Sequence, residues 1–99
     1  MKHWALLYDL APDYLERRGQ HREEHLRLAW ASAARGELLL GGALSPADTA
    51  ILVFRGETPE VAEAFARTDP YVLHGLVRAH RVREWTTVVG DLAANPVRP

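Results

Sequence analysis

Two histidines one helical turn apart are the first residues whose spacing suggests chemistry. The run His21-Arg22-Glu23-Glu24-His25 matches the H-x-x-E-H pattern, in which two histidines on one helix face hold zinc and a glutamate acts as the base. Catalytic zinc needs three protein ligands, and no third ligand is evident in a chain of this size. We therefore expect no metal site and no other cofactor.

A second pair on the same segment could bind and protonate a small anion. Arg22 falls near the centre of the predicted apolar stripe of this helix, and His25 lies at its rim. A rim histidine can exchange protons near neutral pH, and an arginine aimed at a core needs a carboxylate, a phosphate or a route to solvent. The structural alternative pairs Arg22 with an internal acid and His25 with the backbone.

The triplet Asp69-Pro70-Tyr71 is compatible with two roles. Asp is a favoured N-cap and Pro a favoured first helical residue, so the triplet predicts a helix start. In the functional alternative, Asp69 orients a histidine and Tyr71 supplies a hydroxyl. Ser45, close to Gly41-Gly42, is a candidate ligand donor whose structural alternative is a turn serine.

Composition limits the function classes. The 99 residues predict one domain, and 47% hydrophobic with 25% charged residues is ordinary for a folded protein. A net charge of −1 argues against nucleic acid as a partner. The absence of cysteine excludes disulfides, thiolate zinc sites and cysteine nucleophiles. No apolar run reaches the roughly 18 residues of a membrane span, and the N-terminus lacks a signal-peptide pattern, so we expect a cytoplasmic protein and no membrane partner.

The hydrophobic pattern predicts four strands and two main helices. The predicted elements are strand 3–10, helix 14–35, strand 37–44, strand 49–55, a helix beginning at Thr58-Pro59-Glu60, a short turn or helix from Asp69 to Gly75, and strand 77–89. Gly19 interrupts the first helix, so its firm part is predicted from about Gln20, and Gly36 is predicted as its left-handed C-cap. The polar segment 91–99 is predicted as a tail that frays or reaches a partner.

This element order is β-α-β-β-α-β, the ferredoxin-like arrangement of a four-stranded antiparallel sheet with helices on one face. The strands 3–10 and 49–55 carry apolar residues on both faces, yet two helices can cover only one. The other face needs a second covering, and the same face of a second chain is the simplest. We therefore expect a homodimer.

The sequence resembles the YciI-like, or YCII-related, family over nearly its whole length. The resemblance rests on PDYLERR at 12–18, on Arg22-x-x-His25-Leu26, on Gly36 and Gly42, on Asp69-Pro70-Tyr71-Val72 with Gly75, and on Trp85. It implies a family domain over 1–90 followed by the tail 91–99, and an α+β fold whose sheets pair into a dimeric α+β barrel. It also implies a site built on a His–Asp pair, with the histidine at His25.

The acid of that pair often precedes the glycine that ends the first helix, and here Arg35 stands before Gly36. Asp69 is the remaining acid within a family motif. One branch of the family resembles dehydrochlorinases, and muconolactone isomerases share the broader fold. The leading hypothesis is a homodimeric, cofactor-free acid–base enzyme for a small, aromatic or lactone-like anion, with His25 and Asp69 catalytic and Arg22, Tyr71 and Ser45 binding. The alternatives are a non-catalytic ligand-binding or accessory module and metal sequestration through His21 and His25.

Overall fold

The strands of the protein form one antiparallel sheet in the order β2-β3-β1-β4. The computed structural model describes all residues 1–99. The elements are β1 (Lys2–Leu10), α1 (Tyr14–Ala34), β2 (Leu38–Ala43), β3 (Thr49–Gly56), α2 (Glu60–Thr68), α3 (Pro70–Leu73) and β4 (Val77–Trp85). The predicted ferredoxin-like order is confirmed, with the predicted turn or helix after Asp69 present as the short helix α3. None of these helices is both long and apolar enough to cross a membrane.

The face of the sheet under the helices carries the core. Alternate residues of β1 and β3 are buried there, and Leu6 pairs with Leu52 while Trp4 pairs with Phe54. Because strand side chains alternate between faces, Trp4, Leu6 and Tyr8 of β1 all lie on this face. Each large apolar side chain buried in this way stabilises the fold by roughly 1.5–3 kcal/mol. Phe65 of α2 packs on Phe54 with 5.3 Å between ring centroids.

The opposite face of the sheet is apolar at its centre and has no helix over it. Ala5 and Leu7 of β1 pair with Val53 and Ile51 of β3, and all four residues are only half-buried. His3 is the exception, since it is buried and its Nδ1 lies 2.7 Å from the Thr87 hydroxyl.

Helix α1 differs from the prediction at Gly19 and on its exposed face. It begins at Tyr14, as predicted, and runs without interruption through Gly19, so the predicted interruption at Gly19 is wrong. The Arg17 N–H bonds the Asp13 carbonyl at 3.1 Å and the Tyr14 ring packs edge-on against Tyr71, which outweighs the roughly 1 kcal/mol that a helical glycine costs. Leu15, which helix periodicity predicts on the apolar stripe with Arg22, lies instead on the solvent side of the helix.

The ends of two elements confirm one prediction and correct another. Gly36 has φ +78°, and the Glu37 N–H bonds the Ser32 carbonyl at 3.1 Å, so α1 ends at a glycine in the left-handed conformation, as predicted. Strand β4, however, ends at Trp85 and not at Val89. The chain turns there, because Thr87 bonds both His3 and the Ala94 N–H.

Two further ends refine the prediction. The tail is not frayed, since the Asn95 and Val97 N–H groups bond the carbonyls of Thr87 and Val88. A Thr58 N-cap implies a helix that starts at Pro59, but α2 begins one residue later, at Glu60. The Thr58 hydroxyl still accepts a hydrogen bond from the Glu60 N–H at 3.4 Å.

Candidate functional site

Asp69 lies at the junction of α2 and α3, with no exposed surface, and its two carboxylate oxygens accept three hydrogen bonds. Oδ1 accepts from the Tyr71 N–H at 3.0 Å, which caps α3, and lies 2.8 Å from His25 Nδ1. Oδ2 accepts from the Tyr8 hydroxyl at 2.7 Å. Both roles predicted for Asp69 are therefore present together. It caps a helix and orients a histidine.

His25 of α1 is held on three sides. Because a carboxylate only accepts, Nδ1 carries the hydrogen that bonds Asp69, and Nε2 is left as the basic nitrogen. The imidazole stacks on the Tyr71 ring, with centroids 3.8 Å apart and planes 9° from parallel. The Phe65 ring meets it edge-on at 6.3 Å. The side chain keeps 15% of its surface exposed, so the ring is fixed in place and still reachable.

Tyr8 is a site residue that sequence reasoning missed, because its position in β1 fits an ordinary core residue. Burial, followed by the charge of Asp69 and the hydrogen bond to it, raises the pKa of Tyr8 far above its usual range. Tyr8 is therefore a fixed donor at neutral pH that holds Asp69 from the side opposite His25. The available signal was its place in the alternating strand one residue before Asp9, and that spacing alone does not identify a partner 61 residues away.

A cleft of about 380 Å³ opens in front of these residues, between α1 and the β2–β3 side of the sheet. This volume lies at the small end of the range for ligand sites. Its hydrophobic walls come from Leu26, Ala29, Trp30, Ala33, Leu38, Leu39, Leu40, Ala43, Ala50 and Leu52. The predicted apolar stripe of α1 thus forms a cleft wall more than a packed core.

Gly41 lies on the sheet side of the cleft, where there is little room for a side chain next to Leu52. A Cβ at this position would lie 3.2 Å from Leu52 Cγ and project from the cleft side of β2. Gly41 therefore has a structural reason to lack a side chain, whereas a Cβ at Gly42 would meet nothing within 4 Å.

Arg22 lies at the polar end of the cleft beside Arg18. It is exposed and makes no ion pair, so the structural alternative, in which Arg22 pairs with an internal acid, is wrong. Burial and then the neighbouring Tyr14 raise the pKa of Tyr71 to about 12, while Arg22 and Arg18 act in the opposite direction. The positive charges of both guanidinium groups therefore act on the Tyr71 hydroxyl.

Two predicted candidates stand outside this arrangement. Ser45 is exposed in the turn between β2 and β3 and does not line the cleft. His21 stacks on His74 of the loop after α3, with ring centroids 4.1 Å apart and planes 10° from parallel. No group of three His, Asp or Glu side chains in the molecule could hold a metal ion.

The family model for the YCII-related domain matches residues 1–86 of the chain. The chain belongs to the YCII-related domain family. The tail that folds back on Thr87 and Val88 lies beyond the matched residues. In this YCII-related protein, the acid that meets His25 comes from the start of α3, while Arg35 occupies the position before Gly36.

Solved structures show the same fold at low sequence identity. A 5-chloro-2-hydroxyhydroquinone dehydrochlorinase from Burkholderia phenoliruptrix AC1100, in complex with 2,5-dihydroxybenzoquinone, matches with a TM-score of 0.72 at 19% identity, covering 86% of this chain and 94% of that one. A NIPSNAP family protein from Agrobacterium tumefaciens strain C58 matches with a TM-score of 0.59 at 12% identity, covering 93% and 95%.

A second protein from Agrobacterium tumefaciens matches with a TM-score of 0.57 at 15% identity, covering 95% of this chain and 98% of that one. No curated protein matches the chain. Because all three structural matches lie below 20% identity, they establish the fold and leave the reaction to be argued from the site.

Proposed function

We propose that this YCII-related protein is a cofactor-free acid–base enzyme that eliminates from, or isomerises, a small anionic ring compound. The observation that carries the proposal is the 2.8 Å bond from His25 Nδ1 to the fully buried Asp69, at the floor of a cleft whose walls are mostly apolar. A base oriented by a carboxylate that is itself held by further hydrogen bonds is a recurrent catalytic arrangement. It needs no metal or cofactor.

The chemistry assigned to His25 is proton transfer at Nε2. In an elimination, Nε2 takes a proton from a carbon next to the carbon that bears the leaving group. The C–H electron pair forms a double bond between the two carbons, and the leaving group departs with the electrons of its own bond to carbon. In an isomerisation, the imidazolium returns the proton to a different carbon. Asp69 stabilises the imidazolium that forms in both cases.

The structural neighbour supports the elimination in particular. That protein is a dehydrochlorinase in complex with 2,5-dihydroxybenzoquinone, a planar ring compound. In a chlorinated hydroxyquinol this elimination runs through the keto tautomer, in which the carbon that bears chlorine also carries a hydrogen. Nε2 then takes the proton of the ring hydroxyl two carbons away, the electron pairs shift along the ring to form a quinone, and chloride leaves. The cleft of this chain, with apolar walls and aromatic rings at its floor, suits a single planar ring.

The alternative is a binding module that holds such a compound without converting it. The openness of the cleft favours this alternative, since Trp30 is 72% and Leu40 is 74% exposed and water reaches both walls. Water in an active site weakens its electrostatic interactions and permits side reactions. The two functions differ in one measurable respect, which is turnover.

The test is chloride release from 5-chloro-2-hydroxyhydroquinone, followed without oxygen at neutral pH. The purified protein should release chloride with multiple turnovers, and His25→Gln should lower the rate by about 10²–10⁴. The matched control is His80→Gln, because His80 lies on β4 outside the cleft and should leave the rate unchanged.

Equal rates in His25→Gln and in the original protein would contradict the proposed role of His25. Binding of 2,5-dihydroxybenzoquinone without chloride release would instead favour the binding module. Spectral titration of the quinone measures that binding independently of turnover.

We also propose that the protein is a homodimer joined through the uncovered sheet face. The support is the apolar centre of that face, at Ala5, Leu7, Ile51 and Val53, which no helix covers. Stable interfaces bury about 1,200–2,000 Å² in total and have a core of such side chains.

Sedimentation at micromolar concentration should give about twice 11.1 kDa. Val53→Glu should give a monomer, because it places a charge at the centre of the joined faces. Glu57→Lys, outside the four strands, is the control and should stay dimeric. A stable monomer of the unmodified chain would refute the proposal.

A further inference from the structure

Arg18 and Arg22 differ from the other arginines of α1 because neither pairs with an acidic side chain. Arg17 pairs with Asp13 at 3.8 Å, and Arg27 pairs with Glu23 at 2.9 Å. Arg18 and Arg22 make no salt bridge, and both line the cleft. Residues four apart lie on one helix face, so the two guanidinium groups are one turn apart on the cleft side.

The charge around this end of the cleft is one-sided. No aspartate or glutamate lines the cleft, and Asp69 lies beneath it with its oxygens already committed to three donors. Arg18 lies over the Tyr14 ring, 5.6 Å from its centroid, which holds one cation in place without neutralising it. Two cations without a counter-charge, beside apolar walls, favour an anionic group at this end.

The order of residues along α1 also sets the direction in which a ligand would lie. The cleft face of the helix runs from Arg18 and Arg22 through His25 to Ala29 and Trp30. The rise from Arg22 to His25 is about 4.5 Å, close to the width of one six-membered ring. An anionic group held by the arginines therefore leaves the adjoining ring beside His25, with the far side of the ring against the apolar walls.

We propose that Arg18 and Arg22 together form one anion subsite that binds the carboxylate of a single-ring organic acid and so presents its ring to His25. A guanidinium group matches the planar geometry of a carboxylate, and a pair of them can chelate it from two sides. The binding inference stands on the cleft itself. Its catalytic meaning, that the bound ring is the substrate, rests on the proposed function.

The experiment compares 2-hydroxybenzoate with its neutral analogue 2-hydroxybenzamide by calorimetry at low ionic strength. We expect saturable binding of 2-hydroxybenzoate that weakens about tenfold in Arg18→Gln and in Arg22→Gln, since each loses a charged hydrogen bond. Arg27→Gln is the matched control, because Arg27 is on the same helix but pairs with Glu23 away from the cleft. It should bind like the unmodified protein, and 2-hydroxybenzamide should not distinguish any of the four proteins.

The outcomes separate this inference from the proposed function. Unchanged 2-hydroxybenzoate binding in both Gln variants, or a dissociation constant weaker than about 10 mM in the unmodified protein, overturns the subsite. Arginine-dependent binding without any chloride release supports the subsite and counts against the enzyme. Chloride release that needs His25, together with 2-hydroxybenzoate binding that is unaffected in Arg18→Gln and Arg22→Gln, supports the enzyme and overturns the subsite.

Discussion

Two histidines of α1 make nearly the same contact with the segment that follows α2, yet only one of them also meets a carboxylate. His21 stacks on His74 with centroids 4.1 Å apart, and His25 stacks on Tyr71 with centroids 3.8 Å apart. Both pairs of planes lie within 10° of parallel. The difference is beneath the rings, where His25 meets the carboxylate of Asp69 and His21 meets no acid.

This difference shows that the stack and the carboxylate have separate effects. A stack fixes the plane of an imidazole but leaves either nitrogen free to carry the hydrogen. The Asp69 carboxylate fixes Nδ1 as the donor and thereby directs the basic Nε2 away from itself. We infer that His25 is the acid–base residue because of Asp69, and that His21 contributes only to the packing of α1 against the loop at His74.

The largest expected effect follows from removing the carboxylate, which should make His25 resemble His21. Asp69→Asn keeps a side-chain oxygen to cap α3 but no longer stabilises an imidazolium. We expect chloride release to fall by about 10²–10⁴, as in His25→Gln, and the double variant to be no slower than either single variant, because the two residues act as one unit. The measurement is the initial rate of chloride release.

A different outcome would separate the two roles of Asp69. If Asp69→Asn keeps the full rate and only lowers the melting temperature, the residue is a helix cap and the catalytic pairing is wrong. Asp9→Asn serves as the control, since Asp9 is exposed and only approaches Arg81 at 4.0 Å. Its rate and stability should stay within the small range of ordinary surface changes.

The sequence predicted the parts of this site that depend on short spacing. Helix periodicity and the Asp-Pro pair place His25 on α1 and Asp69 at the start of α3, because both signals are local in the chain. The strand order followed from the element order and from the two-sided apolar pattern of β1 and β3. These predictions need only neighbours within a few residues.

The parts that failed depend on contacts between distant segments. Tyr8 and Asp69 are 61 residues apart, and no local pattern separates this tyrosine from a core residue. Arg22 was placed toward the core because helix periodicity does not show that α1 leaves a cleft over β2. The end of β4 was missed for the same reason, since Thr87 turns the chain by bonding His3, 84 residues away.

The next effect concerns stability and the second donor to Asp69. Tyr8→Phe removes the hydroxyl that bonds Oδ2 at 2.7 Å and leaves a buried carboxylate with one donor fewer. We expect the free energy of unfolding to fall by about 1.5–3 kcal/mol, the range for a hydrogen bond to a charged group. Urea denaturation measures this. Tyr14→Phe, whose hydroxyl makes no hydrogen bond to the protein, should change stability by less than about 0.5 kcal/mol.

A smaller effect compares the two stacks directly. Tyr71 is buried and also meets the Tyr14 ring edge-on, whereas His74 is exposed. Tyr71→Leu should therefore lower the free energy of unfolding by about 1 kcal/mol more than His74→Leu, in keeping with aromatic pairs worth about 0.5–1.5 kcal/mol. The same denaturation curves give both values. Equal losses of unfolding free energy in the two variants would mean that both stacks stabilise the fold equally. His25 and His21 would then differ only in the contact of His25 with Asp69.

The last effect is a dependence of stability on alkaline pH that comes from Tyr71 and Tyr8, the two tyrosines in contact with His25 and Asp69. Burial raises the pKa of Tyr71 to about 12 and that of Tyr8 further, while tyrosine in an unfolded chain ionises near 10. The unfolded state therefore loses these protons first, so their contribution to stability is complete below about pH 10 and is lost as the pH rises through 12.

The midpoint of urea denaturation should fall between pH 9 and 12, and the slope of midpoint against pH should be less steep in Tyr8→Phe. His21→Gln should keep the full slope, because the stack of His21 on His74 contains no tyrosine. An identical slope in Tyr8→Phe would mean that Tyr8 ionises as readily in the folded protein as in the unfolded chain, which a hydroxyl buried against the charge of Asp69 should not do.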